Sequence, residues 1–517
     1  MEAESESVTQ LLSLPDHVLA LVVSGVRGKN GLRAACHSLR LAVNACTSEL
    51  TWTRPHSTSG GGPRLRLPAA LAAACPCIRL LDCNGRREDN PRIKFSLASC
   101  PPSIQTLCCS FTLVQQLEPL AAYTLLQTLN CSHTKVRGLG PLSACRMLQT
   151  LNCSRTEVRG LGPLSACSML QTLDCSYCGL VAELGPLSAC TMLGTLDCSH
   201  CRLLAELAPL AACTMLQTLD CSVCCLVAEL VPLPMLQTLK CSRCVRLAEL
   251  GPLAVSTTLL TLDCSGIAVT DLGPLSACTM LLTLNCSSCE NLTTLDPLSA
   301  CIKLQKLSCR LCDRVSDLGP LSACTGLQDL DCSDCQRLSD LGPLSACTRL
   351  RTLDCHGDFC IANLCPLSAC TWLQHLDCSR CASLAGLGPL SACTMLQSLE
   401  CSSTEVSDLG PLSACSALQT LSCNGCRRVT DLGPLASCTL LRSLSCYDTK
   451  VLSLSPLASC AAFEALGSDF ECVPLEDIQH MQAACGSGEV MQQDEWARVR
   501  KWHETRLTAS LRSVLAD

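Results

Sequence analysis

Aromatic side chains are nearly missing: five Phe, four Trp and three Tyr make up 2% of 517 residues, although 48% of the chain is hydrophobic. A core without rings has to be filled by Leu, Val, Ala and Cys. That suits stacked, near-identical layers, because a large ring would have to find room in every one of them. Positive charge is not in excess either, with 38 Lys and Arg against 45 Asp and Glu and a net charge of −7. This excludes a nucleic-acid binder that works by phosphate neutralisation. No apolar run approaches the roughly 20 residues needed to cross a bilayer, so no membrane partner is expected. The opening MEAESESVTQ is acidic and lacks the basic, apolar and small-residue order of a secretory signal. The expected location is therefore cytoplasmic, with a nuclear or cytoskeletal and axonemal site left open. There the 50 cysteines would be free thiols rather than a disulfide framework.

What the chain does have is a repeat. The stretch LQTLDCSYCGLVAELGPLSACTM, from Leu170 to Met192, recurs with small changes, restarting for example at Leu126, Leu148, Leu193, Leu216, Leu304, Leu350 and Leu441. Most steps are 22 or 23 residues, inside the roughly 20–29-residue period of leucine-rich repeats. Each such unit can bury its apolar face only against its neighbours, so one continuous core lengthens with the number of units. Counting the leading leucine as position 1, apolar or small residues fall at positions 1, 4, 6, 9, 11, 14, 17 and 20 of the unit Leu148–Met169. Leu151 and Cys153 are predicted to point inward from a short strand. Pro186, in LGPLSACT, stands where its fixed φ and missing N–H suit the start of a single helical turn. Leu187 and Cys190 would then share the inward side of that turn.

The shorter units resemble the leucine-rich-repeat class of internalins and of a phosphatase regulatory subunit. The longer ones, in which Cys178 takes the place of Thr156, resemble the cysteine-containing class of several F-box proteins. The resemblance implies an α/β solenoid, a horseshoe with a parallel concave β-sheet, short helical or 3-10 turns on the convex face and helical caps at both ends. The expected organisation is a lead at 1–9, a helical segment at 10–53, a linker and start of cap at 54–77, the solenoid at 78–472 and a C-terminal helical cap at 473–517. Two units are irregular: the one from Leu216 shortens to LVPLPM, and the one from Leu350 carries HGDFCIANLC.

Residues 10–53 resemble the F-box, with a Leu-Pro opening at Leu14 and Pro15, a first helix through Val18 and Leu19, a second from Leu32 and a terminal Leu50-x-Trp52. They depart from it at Cys36 and Leu39, where the family usually has a bulky pair. By that resemblance Leu14, Pro15, Val18, Leu19, Leu32 and Trp52 would contact a Skp-type adaptor. A helical cap over the open end of the solenoid is the competing reading.

Repeated C-x-x-C pairs such as Cys175 with Cys178 and Cys198 with Cys201 invite a zinc or redox reading. Yet both positions face inward, and the second is Thr156 or Thr404 in other layers. Packing is therefore the expectation, with no metal and no cofactor. The Asn-Cys-Ser sequons at Asn130, Asn152 and Asn285 are taken as incidental. No catalytic constellation is present, so the chain is expected not to be an enzyme.

Recognition is expected on the outward strand positions. Position 5 carries Asp174, Asp197, Asp220, Asp331 and Asp377, a row of like charges that suits a basic partner or solvent. Position 8 varies most, through Tyr177, His200, Arg243, Asp334 and Arg380. Two functions remain in view: a substrate-recruiting adaptor of a ubiquitin ligase, and a leucine-rich-repeat scaffold or regulatory subunit with a phosphatase or cytoskeletal partner.

Overall fold

The computed structural model describes residues 49–51, 80–82, 97, 103–451, 454–460, 465–468 and 471–474. The F-box-like segment falls almost wholly outside them, so Leu14, Pro15, Val18, Leu19, Leu32 and Trp52 lie outside the described residues, as does nearly all of the C-terminal cap. The chain forms two compact units, one of residues 1–248 and 255–259, the other of 249–254 and 260–517.

Within the first unit, three-residue strands pair in parallel, each with the next in sequence, from Leu80–Asp82 and Thr106–Cys108 to Thr218–Asp220 and Thr238–Lys240. Glu49–Thr51, inside the stretch that resembles an F-box, is also strand and pairs in parallel with Leu80–Asp82. Within the second unit the same pattern runs from Thr261–Asp263 to Ser443–Ser445 and on to Ala465–Ser468. Glu471–Pro474 then turns back antiparallel to Ala465–Ser468. Each unit is thus a leucine-rich-repeat solenoid, with strands on one face and 3-10 turns on the other.

The repeat explains each layer. In the unit from Leu148, the residues Leu148, Leu151, Cys153, Val158, Leu161, Leu164 and Cys167 are all buried, and Thr156 joins them at 8% exposure. These are the eight inward positions expected from spacing. Gly185–Ala189 is a 3-10 turn with proline in its first turn. Its bonds run from the Leu187 amide to the Leu184 carbonyl at 2.8 Å and from the Cys190 amide to the Leu187 carbonyl at 2.9 Å. Five residues are too few for α-helical bonding to repay its nucleation, and Cys190, at φ −90 and ψ 61, leaves helical space. In the shortened unit no 3-10 turn separates Thr218–Asp220 from Thr238–Lys240. Leu230 and Leu233 nevertheless stay buried, so the layer loses its turn but keeps its core.

Cysteines form rows in this core. Cys178, Cys201 and Cys224 donate their thiols to the carbonyls of Cys153, Cys175 and Cys198 in the preceding layer, at 3.1, 3.3 and 3.2 Å. On the turn side Cys190 donates to Leu164 at 3.4 Å. Buried thiols here behave as small hydrophobes with a weak donor. Burial pushes the Cys131 thiol up to about 12 and that of Cys190 to about 11, each with a neighbouring cysteine adding to the shift. That keeps Cys131 and Cys190 protonated and unreactive. In the C-x-x-C pair Cys175 and Cys178 both side chains are fully buried, and the Cys178 thiol is taken up by the Cys153 carbonyl of the preceding layer.

Candidate interaction surface

Position 5 of each layer ends the strand, and its side chain has a local task. The Oδ1 of Asp174, Asp197 and Asp220 accepts the backbone N–H of Ser176, Ser199 and Ser222 at 3.0, 2.9 and 3.0 Å. In the second unit Asp331 and Asp377 do the same for Ser333 and Ser379, at 3.2 and 2.9 Å. The sequon residues Asn130, Asn152 and Asn285 make the identical bond at 3.1, 3.0 and 3.1 Å. An acceptor two residues before the amide it satisfies is the arrangement by which Asp and Asn initiate turns. The acidic row is therefore first a set of strand terminators. Cross-strand register still sets Asp174 opposite Asp197 and Asp197 opposite Asp220. Burial lifts the Asp197 carboxyl above its ordinary range; the bonds from Ser199 pull it down, and the charges of Asp220 and Asp174 push it up again.

Position 8 is where the chain leaves the sheet, and there the backbone is left-handed. Positive φ values of 54–62° occur at His133, Arg155, Tyr177, His200, Val223, Arg243, Asp334 and Arg380. Glycine supplies the same conformation at Gly266, Gly357 and Gly425. Left-handed backbone costs an L-residue about 1–2 kcal/mol. One compensation is the ladder, because the amides of Arg155 and Tyr177 still bond the carbonyls of Ser176 and Ser199 in the next layer, at 2.9 and 2.8 Å. The side chain takes no part in that bond. It projects from the end of the strand and can vary.

In the first unit these projecting groups stack. The rings of Phe111 and His133 lie 4.1 Å apart and nearly parallel, as do those of Tyr177 and His200 at 3.9 Å. The Arg155 guanidinium sits 3.8 Å over the Tyr177 ring. Arg155, Tyr177 and His200 thus form one continuous stack of planar groups, worth about 0.5–1.5 kcal/mol per contact. Tyr177 keeps 42% of its surface exposed. Of the predicted face residues, this unit brings Tyr177 and His200 together beside Asp174, Asp197 and Asp220, while Arg243 lies further along at position 8. Phe111 and the stacking contacts were not among the expected site residues, yet the period alone puts Phe111 at position 8.

In the second unit Asp331 and Asp377 stand at strand ends, with Asp334 and Arg380 at the left-handed sites. A grouping not expected from sequence appears between them. Asp354, His356 and Asp377 present ligand-type atoms all within 4.8 Å of one another. His356 Nδ1 lies 2.7 Å from Asp354 and its Nε2 lies 3.2 Å from Asp334, whose carboxylate also meets Arg310 at 3.1 Å. The signal was His356 itself, standing where neighbouring layers have Ser333 and Ser379. A row of exposed apolar side chains, Leu125, Met147, Met169, Met192, Met215 and Met235, lies just before the leading leucines of the first unit.

No curated protein matches the chain in sequence. Solved structures do resemble it. An internalin from Listeria monocytogenes shares 18% identity at a TM-score of 0.40, over 71% of this chain and 88% of its own. The functional domain of InlJ from Listeria monocytogenes, which includes a cysteine ladder, shares 21% at 0.45, over 72% of this chain and 69% of that one. TLR13, in its complex with ssRNA13, shares 14% at 0.54; the match covers 75% of this chain and spans 63% of the TLR13 chain. Residues 394–437 match the family described as leucine-rich repeats in two copies. The same geometry recurs in the layers before and after that match, and the fold on which this chain is built is the leucine-rich repeat.

Proposed function

We propose that the chain is a non-catalytic protein-interaction module, in class a leucine-rich-repeat scaffold or regulatory subunit, whose strand face docks a protein partner. The observation that carries this reading is the contrast within each layer. Inward positions are nearly constant, while position 8 projects a different side chain from a backbone bonded independently of it. Arg155, Tyr177 and His200 supply a preordered cationic and aromatic patch in the first unit, and Arg and Tyr are residue types enriched at binding hot spots. A basic segment is the partner chemistry that suits the Asp174, Asp197 and Asp220 row, since like charges in register repel. The test is affinity enrichment with the full chain and with a variant carrying Arg155→Ser, Tyr177→Ser and His200→Ser. A partner enriched by the first and lost by the second supports docking on this face. Equal enrichment by both overturns it.

A second reading, recruitment of a ubiquitin-ligase substrate through a Skp-type adaptor, is supported by the Leu14, Pro15 and Leu50-x-Trp52 pattern of residues 10–53. Against it stands the strand Glu49–Thr51, which pairs with Leu80–Asp82 as a solenoid cap would. A pull-down with and without residues 1–60 separates the two. A Skp-type adaptor missing from both samples sinks the ligase reading. The location proposed for either function is cytoplasmic, with a nuclear or cytoskeletal and axonemal site left open.

A further inference from the structure

One layer departs from its neighbours at three adjacent positions. In the unit from Leu350, His356 replaces the usual serine, Gly357 occupies the left-handed site at φ 75°, and Asp358 takes the inward place of a cysteine. These changes gather acceptors. Asp354 and Asp377 stand on adjacent paired strands, with His356 between them and Asp334 beyond it. Asp331 lies opposite Asp354 in the register. Three carboxylates, those of Asp334, Asp354 and Asp377, therefore gather around His356, and Arg310 pairs with the first of them. The layer also contains Asp358 Oδ2, the buried side-chain oxygen that has no hydrogen-bond partner among the described residues.

We propose that Asp354, His356 and Asp377 form a binding site for one first-row divalent cation such as Mn²⁺, Fe²⁺ or Zn²⁺, with Asp334 orienting the imidazole from the far side. Imidazole and carboxylate together are the donors such ions take. The arrangement around His356 adds an observation beyond the cluster of acids. Its Nε2 is committed to Asp334 at 3.2 Å, and Asp334 is itself fixed by Arg310 at 3.1 Å. A carboxylate on the second ring nitrogen is the outer-shell pattern of metal-ligating histidines, where it sets the tautomer and ring orientation. It leaves Nδ1, which lies 2.7 Å from Asp354, as the donor facing Asp354 and Asp377. Ligand atoms held about 2.0–2.2 Å from a metal lie roughly 3–4.3 Å apart. Side-chain rotations would have to part Nδ1 and the Asp354 oxygen slightly from 2.7 Å and draw in the other atoms, which lie within 4.8 Å of one another. All three residues are half-buried, so the remaining coordination positions open to water.

The competing arrangement is an imidazolium that bridges Asp334 and Asp354 with no metal. Titration of the full chain with MnCl₂, followed by the electron paramagnetic resonance of free Mn²⁺, separates them; Mn²⁺ is chosen because thiols bind it poorly. The proposal expects one saturable Mn²⁺ per chain. His356→Ser restores the residue found in neighbouring layers and so keeps the fold, which far-UV circular dichroism checks. It should weaken binding at least about tenfold, and Asp334→Asn should weaken it about tenfold through the imidazole. Asp263→Asn, in a layer where Ser265 stands in place of the histidine, should leave binding unchanged. No saturable binding, or equal binding by wild type and His356→Ser, overturns the site.

Discussion

At the scale of the residue, the left-handed column and the buried Asp358 are where individual side chains run against their surroundings. Val223 holds φ 62°, a conformation that β-branched residues resist most. Glycine occupies the equivalent site at Gly266 and Gly425. Val223→Gly should therefore raise stability by about 0.5–1 kcal/mol, the relief of backbone strain exceeding the entropy that glycine adds to the unfolded chain. Urea unfolding reads this, and a loss of stability would show that packing of Val223 outweighs its strain. Asp358 is fully buried, and its carboxyl is pushed up to about 9, first by burial and then by Cys335. Its Oδ1 accepts the Cys335 amide at 2.6 Å while Oδ2 has no partner. Asp358→Cys restores the residue of the other layers, and the Cys335 amide can then turn to Cys332, as the Cys178 amide does to Cys175 at 3.3 Å. The expected gain is about 1–3 kcal/mol, the cost of a buried unsatisfied polar group. A measured loss would mean that the carboxyl is held by something the layer requires.

At the scale of the element, the strand end joins a structural duty to an electrostatic penalty. Asp197 terminates its strand by accepting the Ser199 amide, yet it faces Asp174 and Asp220 across the sheet. Burial first, and then those two charges, hold its folded carboxyl above its ordinary range, so the native state holds that proton more readily than the unfolded chain does. Its ionised form therefore destabilises the fold at neutral pH, and the penalty fades as pH falls through the raised value toward the unfolded one. Asn152 makes the same bond without charge. Asp197→Asn should accordingly stabilise at pH 7 by about 0.2–1 kcal/mol, the size of a cross-strand like-charge pair. The gain should shrink as pH falls through the raised value and vanish below the ordinary value of 3.8 in paired denaturation curves. An unchanged difference across that range would assign the effect to something other than charge. The element also shows what the sequence made legible. Periodicity alone identified the inward Leu148, Leu151, Cys153 and Cys167, the turn at Pro186, and position 8 as the variable column. It did not reveal that position 5 bonds an amide two residues on, because an Asp row reads equally well as solvated or as partner-facing. Nor did it show that Arg155, Tyr177 and His200 stack, since side-chain direction at position 8 depends on a left-handed φ that non-glycine residues rarely announce. His356 was visible as a departure from serine, but its neighbours Asp334 and Asp377 come from other layers.

At the scale of the whole molecule, thiol burial divides the cysteines sharply. Among the described residues Cys360 and Cys365 are exposed, Cys108 and Cys225 are half-buried, and the rest are buried. Among the described cysteines, brief alkylation of the native protein followed by peptide mapping should modify Cys360 and Cys365 first, with Cys178, Cys201 and Cys224 protected until denaturant is added. Early labelling of that buried row would show that layers open without global unfolding. In an array whose units touch only their neighbours, local opening is the first departure from the native state.

The thiol rows also set a clock on the unfolded chain. Among the described residues, the cysteines that burial keeps apart from oxidant become candidates for mispairing once the layers separate, in a chain that holds fifty thiols in all. Thiol–disulfide exchange, once thiolate is exposed, proceeds through whichever partner is nearest. The same side chains that fill the core would then make the return journey depend on how long the chain stays open and on how reducing its surroundings are. For this protein, reversibility is a matter of elapsed time as much as of free energy.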